Sequence, residues 1–298
     1  SLLACFDVPR LKPDIVLAFN PAISSACIYP KLRGYAVVLN PDGYDWRRQK
    51  WGFLARRFIY GSAWLAARIC DKLIIDAVSV TEYYADDFEC DPVHVPNGAN
   101  IEPDGGDLSL LAEHGLEPGE YFLFLSRHVP ENSCEYVIRA LEGLETDKKL
   151  YMGGGEASDS EYAAHLRTLT NDPRIIFPGA IYEPEHVKAL HHGCYALIHA
   201  NQAGGTSLGL LKAMGYGACI LTLNTRDNAY VVQHSAITYQ LNEQDLRSKL
   251  DYLLHNPERA AQLRQEAVQR VRDAYDWPVL AAQYEAVFED VLARRRSG

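Results

Sequence analysis

The chain has 298 residues, 48% of them hydrophobic, and this is long enough for two domains with substantial cores. The formal net charge of −10 argues against nucleic acid as a general partner. The cysteines are odd in number and lack metal-ligand spacing, which predicts reduced thiols in the cytoplasm. We find no signal peptide and no apolar run of about 18 residues, so no membrane span is expected.

Strand and helix patterns alternate along the first hundred residues, as in a parallel sheet with covering helices. The predicted strands are 14–20, 35–40, 72–77 and 93–95, and the predicted helices are 22–32, 45–70 and 81–88. A polar linker is predicted from Asn97 to Gly119. Because the chain starts without methionine and enters an apolar stretch at once, we expect a fragment or a processed product.

The same alternation continues after the linker. The predicted strands are 121–126, 150–152, 174–177, 194–200, 219–223 and 237–240, with helices at 134–144, 160–169, 183–191 and from 208 onward. The remainder is helical, and Trp277-Pro278 is expected to interrupt it before a last amphipathic helix. The sequence therefore predicts an α/β protein with two Rossmann-like domains and a ligand between them, at the carboxyl ends of strands.

The segment Gly204-Gly205-Thr206-Ser207 lies between a predicted strand and a predicted helix. Glycines allow backbone N–H groups to approach a phosphate, and a helix N-terminus adds a favourable dipole. An ordinary strand-to-helix turn explains the same residues equally well. Leu208, Leu211 and Met214 are predicted to share one helical face. The dinucleotide fingerprint and the P-loop are both absent, which disfavours a dehydrogenase.

Four segments resemble motifs of one enzyme family, and they occur in the family's order. They are NPDGYDWRRQKW at 40–51, VPNG at 95–98, SRHVPEN at 126–132 and GGTSLGLLKAM at 204–214. They resemble the retaining glycosyltransferases of the GT-B fold, family four, and in particular a bacterial subgroup that makes surface polysaccharides and includes rhamnosyltransferases. The likeness covers nearly the whole chain.

The resemblance implies a GT-B fold and a transferase reaction. Residues 1–98 would form the acceptor-side domain, with 279–298 packing back on it, and 99–278 would bind the nucleotide sugar. Because the family begins with a strand and a Gly-rich loop, roughly the first βαβ unit of this domain is expected to be missing. The implied reaction moves a sugar from a nucleotide-diphosphate donor to a glycan or lipid-linked acceptor, with retention.

Two positions depart from the family pattern. Lys212 stands where members usually carry a glutamate that is implied to hold the donor's ribose hydroxyls, and an ammonium cannot accept those hydrogen bonds. Gln202 stands near a place that is often acidic in the subgroup. These departures and the short first domain favour an alternative function, a catalytically weakened homologue that binds a nucleotide or glycan or serves as a partner protein.

The transfer reaction needs groups that stabilise the leaving diphosphate. Arg127 follows a predicted strand and offers a planar guanidinium, although a surface arginine on a loop is the plain alternative. The turn from Gly204 to Ser207 would supply backbone N–H groups to the same phosphates. Since no Asp-x-Asp motif is present, we expect no metal and no cofactor beyond the nucleotide sugar itself.

Other residues of the second domain are candidates for contacts to the donor. Glu131 and Asn132 are expected to hydrogen-bond sugar hydroxyls or, alternatively, to cap the helix that follows. Tyr182 is expected either to lie beside the nucleotide base or to pack within the domain. His199 ends a strand and either touches the sugar or is structural.

The first domain carries the candidates for the acceptor side. Asp42 corresponds to a family position next to the reacting sugar, and it also fits a turn carboxylate. The acceptor or membrane side is assigned to four further residues, Trp46, Arg47, Arg48 and Lys50.

The long helix after Asp45 is predicted to be basic and amphipathic. Its apolar face would contain Trp51, Leu54, Phe58, Leu65 and Ile69, with Lys50, Arg57 and Arg68 beside it. Such a helix fits a membrane surface with lipid-linked acceptors, and a core-facing helix with a solvated basic edge fits as well. We therefore expect a cytoplasmic protein, peripheral at the inner membrane face in the first case.

Overall fold

Contacts divide the chain into two compact units, each an α/β layer structure. The computed structural model describes residues 2–47, 51–154, 161–202 and 205–297. Unit 1 consists of Ser1–Asn97, Gly204–Thr206 and Pro278–Gly298, and unit 2 consists of Gly98–Ala203 and Ser207–Trp277. The α/β fold class predicted from the sequence is confirmed.

Unit 1 is built on a parallel sheet of four strands in the order β1-β2-β3-β4. The strands are β1 (Ile15–Phe19), β2 (Ala36–Asn40), β3 (Lys72–Ile75) and β4 (Val93–His94). The helices are α1 (Leu2–Leu11), α2 (Ser24–Leu32), α3 (Phe53–Ile69), α4 (Val78–Asp87) and α12 (Trp277–Ser297), with 3-10 turns at Pro21–Ile23 and Asp45–Arg47. Every residue of β2 is buried, as expected for an inner strand with both faces covered.

The single helix predicted over 45–70 is wrong. A 3-10 turn ends at Arg47, and α3 begins only at Phe53, after Gly52 in an extended conformation. Glycine pays a large entropic cost inside a helix, so a helix start after Gly52 is favoured over a helix through it.

The last helix packs within unit 1. Its buried residues Leu280, Val287 and Val291 share an apolar cluster with residues of β2, β3 and the segment after β4. Helix α11 ends at Ala274 and α12 begins at Trp277. Pro278 then lies in the first turn, where its missing N–H costs no intrahelical hydrogen bond.

Unit 2 is built on a parallel sheet of six strands in the order β10-β9-β8-β5-β6-β7. The strands are β5 (Tyr121–Leu125), β6 (Lys149–Gly153), β7 (Ile175–Gly179), β8 (Ala196–His199), β9 (Ile220–Leu223) and β10 (Ile237–Tyr239). The helices are α5 (Cys134–Glu142), α6 (Glu161–Thr168), α7 (Pro184–Gly193), α8 (Leu208–Gly215), α9 (Arg226–Val232), α10 (Glu243–His255) and α11 (Pro257–Ala274). The 3-10 turns Leu108–His114, inside the predicted linker, and Pro130–Asn132 complete the unit.

Strand β5 lies in the middle of this sheet and contributes to two cores. Phe122 and Phe124 belong to the cluster with α5 and α10, whereas Tyr121 and Leu123 belong to the cluster with α8 and α11. Successive side chains of a strand point to opposite faces, so an uninterrupted apolar run of this kind requires helices on both sides. No helix among the described residues is long and apolar enough to cross a membrane.

Candidate functional site

The order of strands in unit 2 reverses at β5. From β5 the sheet continues through β6 and β7 on one side, and the chain then returns to place β8, β9 and β10 on the other. In open parallel sheets such a reversal opens a crevice at the carboxyl ends of the two strands that flank it. We call the space at the ends of β5 and β8 the β5–β8 crevice.

The β5–β8 crevice contains a cavity of about 230 Å³. It is lined by the ends of β5 and β8, by the start of α8, by α7 and by Ile181. Most of the lining is apolar, Lys212 is its one permanently charged side chain, and none of the lining residues is a carboxylate. A pocket of this composition suits an anion with an apolar or planar part.

Two hydrogen bonds of His199, the last residue of β8, link this strand to β9 and to the start of α8. Its Nδ1 lies 3.0 Å from Thr222 Oγ1 on β9, and its Nε2 lies 2.9 Å from Ser207 Oγ. Ser207 is also the N-cap of α8, because its Oγ accepts a hydrogen bond from the backbone N–H of Leu210. Burial lowers the pKa of His199 to about 4, so the ring is neutral at pH 7.

His191 lies on the α7 side of the cavity and is also neutral. It is 3% exposed, and its Nδ1 lies 2.7 Å from the backbone oxygen of Val187. Burial and, to a smaller extent, the positive charge of Lys212 lower its pKa to about 4. Lys212 itself is exposed and makes no ion pair within the described part of the chain. Its ammonium is therefore available to a ligand.

The loop after β5 is held by Asn132, and Arg127 projects from it. The Asn132 side-chain amide donates to Ser126 Oγ and to the backbone oxygen of Arg127, both at 2.7 Å. Arg127 is exposed, and no carboxylate pairs with its guanidinium among the residues that the structure describes. Asn132 therefore positions the loop, while contacts of either residue with a sugar nucleotide stay predictions.

Gly154 is required because of the buried His128 beside this loop. A Cβ at position 154 would lie 2.8 to 3.0 Å from atoms of the His128 ring. Since such contacts are far below van der Waals distance, glycine is the residue that lets the loop after β6 pass over His128.

The loops after β5 and β8 are joined by Gln202. Its backbone N–H donates to the Glu131 oxygen at 2.8 Å, and its side-chain amide donates to Ser133 Oγ at 2.9 Å. The side chain of Glu131 is exposed. Gln202 thus connects two loops at the edge of the crevice.

The Gly-rich turn before α8 is described only in part. Gly204 lies outside the described residues. Gly205 has φ of 121°, a conformation that favours glycine. Thr206, which groups with unit 1, donates its hydroxyl to the backbone oxygen of Asp76, so this hydroxyl is already bonded. Tyr182, next to the lining residue Ile181, is 63% exposed.

In unit 1, Asp42 follows β2 and is exposed. Its φ is 62°, and its N–H donates to Asn40 Oδ1 at 2.8 Å, which is the turn geometry that the sequence offered as one alternative. A role for Asp42 next to a sugar stays a prediction.

The assignment of Trp46 to an acceptor or membrane surface is wrong. Its ring is 8% exposed and packs in an aromatic cluster with Tyr44, Tyr83 and Phe88. Arg47 is exposed, with its guanidinium 4.3 Å from the centre of the Tyr44 ring. Arg48 and Lys50 lie outside the described residues.

Sequence reasoning did not single out His191, although its spacing from Val187 places it on the same face of α7. Leu208 was expected to share one helical face with Leu211 and Met214. In the structure Leu211 and Met214 are buried, whereas Leu208 is 62% exposed and lines the cavity. Across the described ranges, no three His, Cys, Asp or Glu side chains are grouped to hold a metal ion.

The chain was compared with known proteins by sequence and by structure. No curated protein matches its sequence. The sucrose-phosphate synthase of Thermosynechococcus elongatus has a similar structure, with a TM-score of 0.79 and 14% identity over 98% of this chain and 77% of that one. The Anabaena HepE complex with UDP has a TM-score of 0.82 and 14% identity over 97% of this chain and 82% of that one. The HepE complex with UDP-glucose has a TM-score of 0.79 and 15% identity over 97% of this chain and 82% of that one.

Two family models match parts of the sequence. A domain of unknown function covers residues 25–97, in unit 1. Glycosyl transferases group 1 covers residues 111–270, in unit 2 and more than half of the chain. The fold is that of the GT-B glycosyltransferases, and the chain belongs to the family of glycosyl transferases group 1.

Proposed function

We propose that this chain transfers a hexosyl or rhamnosyl group from a nucleotide-diphosphate sugar to a glycan or lipid-linked acceptor, with retention at the anomeric carbon. The observation that carries the proposal is the β5–β8 crevice, with an unpaired ammonium and no carboxylate in its lining. Anion binding at this edge of a parallel sheet is what a nucleotide diphosphate requires.

The diphosphate is assigned to Arg127 and the start of α8. Arg127 is exposed and unpaired after β5, and a guanidinium binds phosphate oxygens through two parallel hydrogen bonds. Helix α8 presents its free N–H groups and positive dipole end to the same crevice. These groups compensate the charge that develops on the leaving diphosphate, so the proposed reaction needs no metal.

The HepE complexes support a uridine nucleotide as the first donor to test, since that protein shares the fold. The acceptor class follows from the resemblance of segment 40–51 to the polysaccharide subgroup. Asp42 is assigned to the acceptor side, and the reaction is assigned to the cytoplasm, where nucleotide sugars are made available to transferases.

Lys212 favours a second candidate function. The lining of the crevice offers no carboxylate to accept hydrogen bonds from ribose hydroxyls. A crevice lined by Lys212 and no carboxylate is what we expect in a chain that binds a nucleotide or glycan with little transfer. It is equally expected in a chain that acts as a partner subunit.

A screen of nucleotide sugars separates the two candidates. Binding is measured by calorimetry, and transfer is measured as release of nucleoside diphosphate in the presence of glycan and lipid-linked acceptors. The first candidate predicts both binding and release that depends on the acceptor. Binding without release supports the second, and the absence of binding by any nucleotide sugar contradicts both.

A further inference from the structure

One side of α3 exposes large apolar side chains. Phe53, Leu54, Phe58 and Trp64 are 71%, 80%, 57% and 46% exposed. We call these residues, together with Arg57 and Arg68, the α3 face. Contiguous apolar exposure of this kind is uncommon on a soluble domain and marks interaction surfaces.

Helical geometry places the members of the α3 face together. At 100° per residue, all six project from one half of the helix, centred on the two arginines. The opposite half carries Ile59, Ser62, Ala63 and Ala66, which are buried in unit 1. Helix α3 therefore packs on the core of unit 1 through its buried side. The apolar residues of the α3 face take no part in that packing.

The predicted apolar face contained Leu54 and Phe58 together with Leu65 and Ile69, beside the basic residues. Phe53 and Trp64 add exposed apolar side chains on the other side of the two arginines. The basic residues therefore lie in the middle of the exposed apolar ones. The guanidinium of Arg57 is 5.8 Å from the centre of the Phe53 ring, and that of Arg68 is 5.4 Å from the Trp64 ring.

The charge of this region is opposite to that of the whole chain. Between Trp46 and Cys70 the sequence has six basic residues and no acidic one, whereas the chain has a net charge of −10. Arg57 has no carboxylate partner in the part of the chain that the structure describes. Arg68 donates one hydrogen bond to the backbone oxygen of Phe88, which leaves its charge uncompensated.

We propose that the α3 face binds the surface of a membrane that contains anionic lipids. A helix that lies in the plane of the interface inserts Trp, Phe and Leu side chains at the level of the headgroups, and its arginines contact lipid phosphates. The inference deepens the proposed function and rests on it for its purpose, because a lipid-linked acceptor is located in such a membrane.

Two other occupants fit the α3 face less well. A second copy of the chain would place Arg57 and Arg68 opposite the same cations in a two-fold interface. A nucleic acid would bind the arginines but leave Leu54 and Phe58 without an apolar environment, and the net charge of the chain would repel it.

The test is sedimentation of the whole chain with lipid vesicles, which needs no enzymatic turnover. We expect binding to vesicles with about one third phosphatidylglycerol, weaker binding at high salt, and little binding to pure phosphatidylcholine. The pair Leu54→Ser with Phe58→Ser should weaken binding at least about tenfold. The pair Arg57→Gln with Arg68→Gln should weaken it about fivefold per arginine.

Matched controls come from exposed residues of unit 2. Tyr252→Ser removes an exposed aromatic ring from α10, and Arg139→Gln with Arg272→Gln removes two exposed arginines. These variants should bind vesicles like the unchanged chain. All the substituted side chains are exposed, and thermal unfolding of each variant verifies that the fold is retained.

Three results would overturn the inference. The first is equal binding of the chain to both vesicle types, and the second is unchanged vesicle binding by the α3-face variants. The third is that the chain does not bind vesicles but self-associates or binds RNA, and that the α3-face variants abolish this association. Calorimetry with UDP on the same protein samples keeps this outcome separate from the proposed function. If the chain binds UDP but not vesicles, the membrane inference fails while the proposed function stands.

Discussion

Lys212 is the residue that separates a working transferase from a binding protein. Its ammonium reaches a crevice that otherwise has an apolar and neutral lining, since His191 and His199 are both uncharged at pH 7. It attracts a diphosphate but accepts no hydrogen bond from a ribose hydroxyl. A nucleotide held in a shifted position loses rate steeply, about 100-fold for a displacement of about 1 Å.

The substitution Lys212→Glu is therefore expected to raise turnover more than it changes diphosphate affinity. Steady-state kinetics give kcat and KM with a nucleotide sugar, and calorimetry gives the Kd for the diphosphate. Arg139→Glu on α5 is the control, because it makes the same change of charge at another exposed site of unit 2. Robust turnover by the unchanged chain that falls in Lys212→Glu would instead make Lys212 a functional catalytic residue.

The buried histidines make the stability of the fold sensitive to acid. His191 has a folded pKa of about 4, below the unfolded value of about 6.5, so the unfolded chain binds more protons between these values. Stability is therefore fully present above the unfolded pKa and is lost as the pH falls through this window. From pH 7 to pH 5 the loss from His191 is about 2 kcal/mol.

His191→Asn removes this titration and retains an N–H donor for the Val187 oxygen. We expect the difference in the free energy of unfolding between pH 7 and pH 5 to shrink in this variant, as measured by denaturant titration at both pH values. An unchanged difference would show that His191 does not titrate in this window.

At the scale of the element, α8 determines the shape of the crevice. Gly209 lies in its first turn and lines the cavity, and the nearest atom to a Cβ there would be Ser207 Oγ at 3.8 Å. A larger side chain therefore fits the helix but occupies the cavity.

Gly209→Leu is expected to abolish UDP binding while the melting temperature stays equal or rises. Leucine is favoured over glycine in a helix by about 0.8 kcal/mol, so a loss of binding would not come from unfolding. Gly61→Leu in α3 is the matched control, since a Cβ there has no heavy atom within 4 Å. Calorimetry and thermal unfolding measure both effects, and unimpaired binding of UDP by Gly209→Leu would exclude this cavity as the nucleotide site.

Elements with strong periodicity were predictable from the sequence, and elements fixed by local caps were not. Strands such as β2 and β5 are apolar runs between polar turns, and their positions are correct within one or two residues. Helix α9 was missed because it is short and depends on the Thr225 cap, whose Oγ1 accepts from the N–H of Asn228. The 3-10 turn Leu108–His114 was missed because Asn, Asp, Gly and Pro around it indicate a linker.

The positions of the candidate residues in the fold were predictable, whereas their roles stay predictions. Arg127, His199 and Ser207 lie at strand ends or at the start of α8, and Lys212 lies one turn into that helix. A parallel sheet brings such positions to one edge. Which side chains stay exposed depends on packing between distant segments. The burial of Trp46 among aromatic rings from α3 and α4 is one example that spacing along the chain does not reveal.

At the scale of the whole molecule, transfer is expected to survive chelation. The charge of the diphosphate is assigned to Arg127 and α8, so EDTA should leave turnover with a nucleotide sugar unchanged. Turnover is measured with and without EDTA on the same sample. Loss of turnover in EDTA that Mg²⁺ or Mn²⁺ restores would contradict the assignment.

The central claim is that the β5–β8 crevice of this glycosyl transferases group 1 member binds a nucleoside diphosphate. Calorimetric titration of uridine and thymidine diphosphate into the whole chain tests it most directly. Arg127→Ala should weaken binding about 10- to 100-fold through the loss of one charge-assisted contact, and Arg139→Ala, an exposed arginine on α5, should not. Failure of both nucleotides to bind, or equal affinity in Arg127→Ala, would contradict the account.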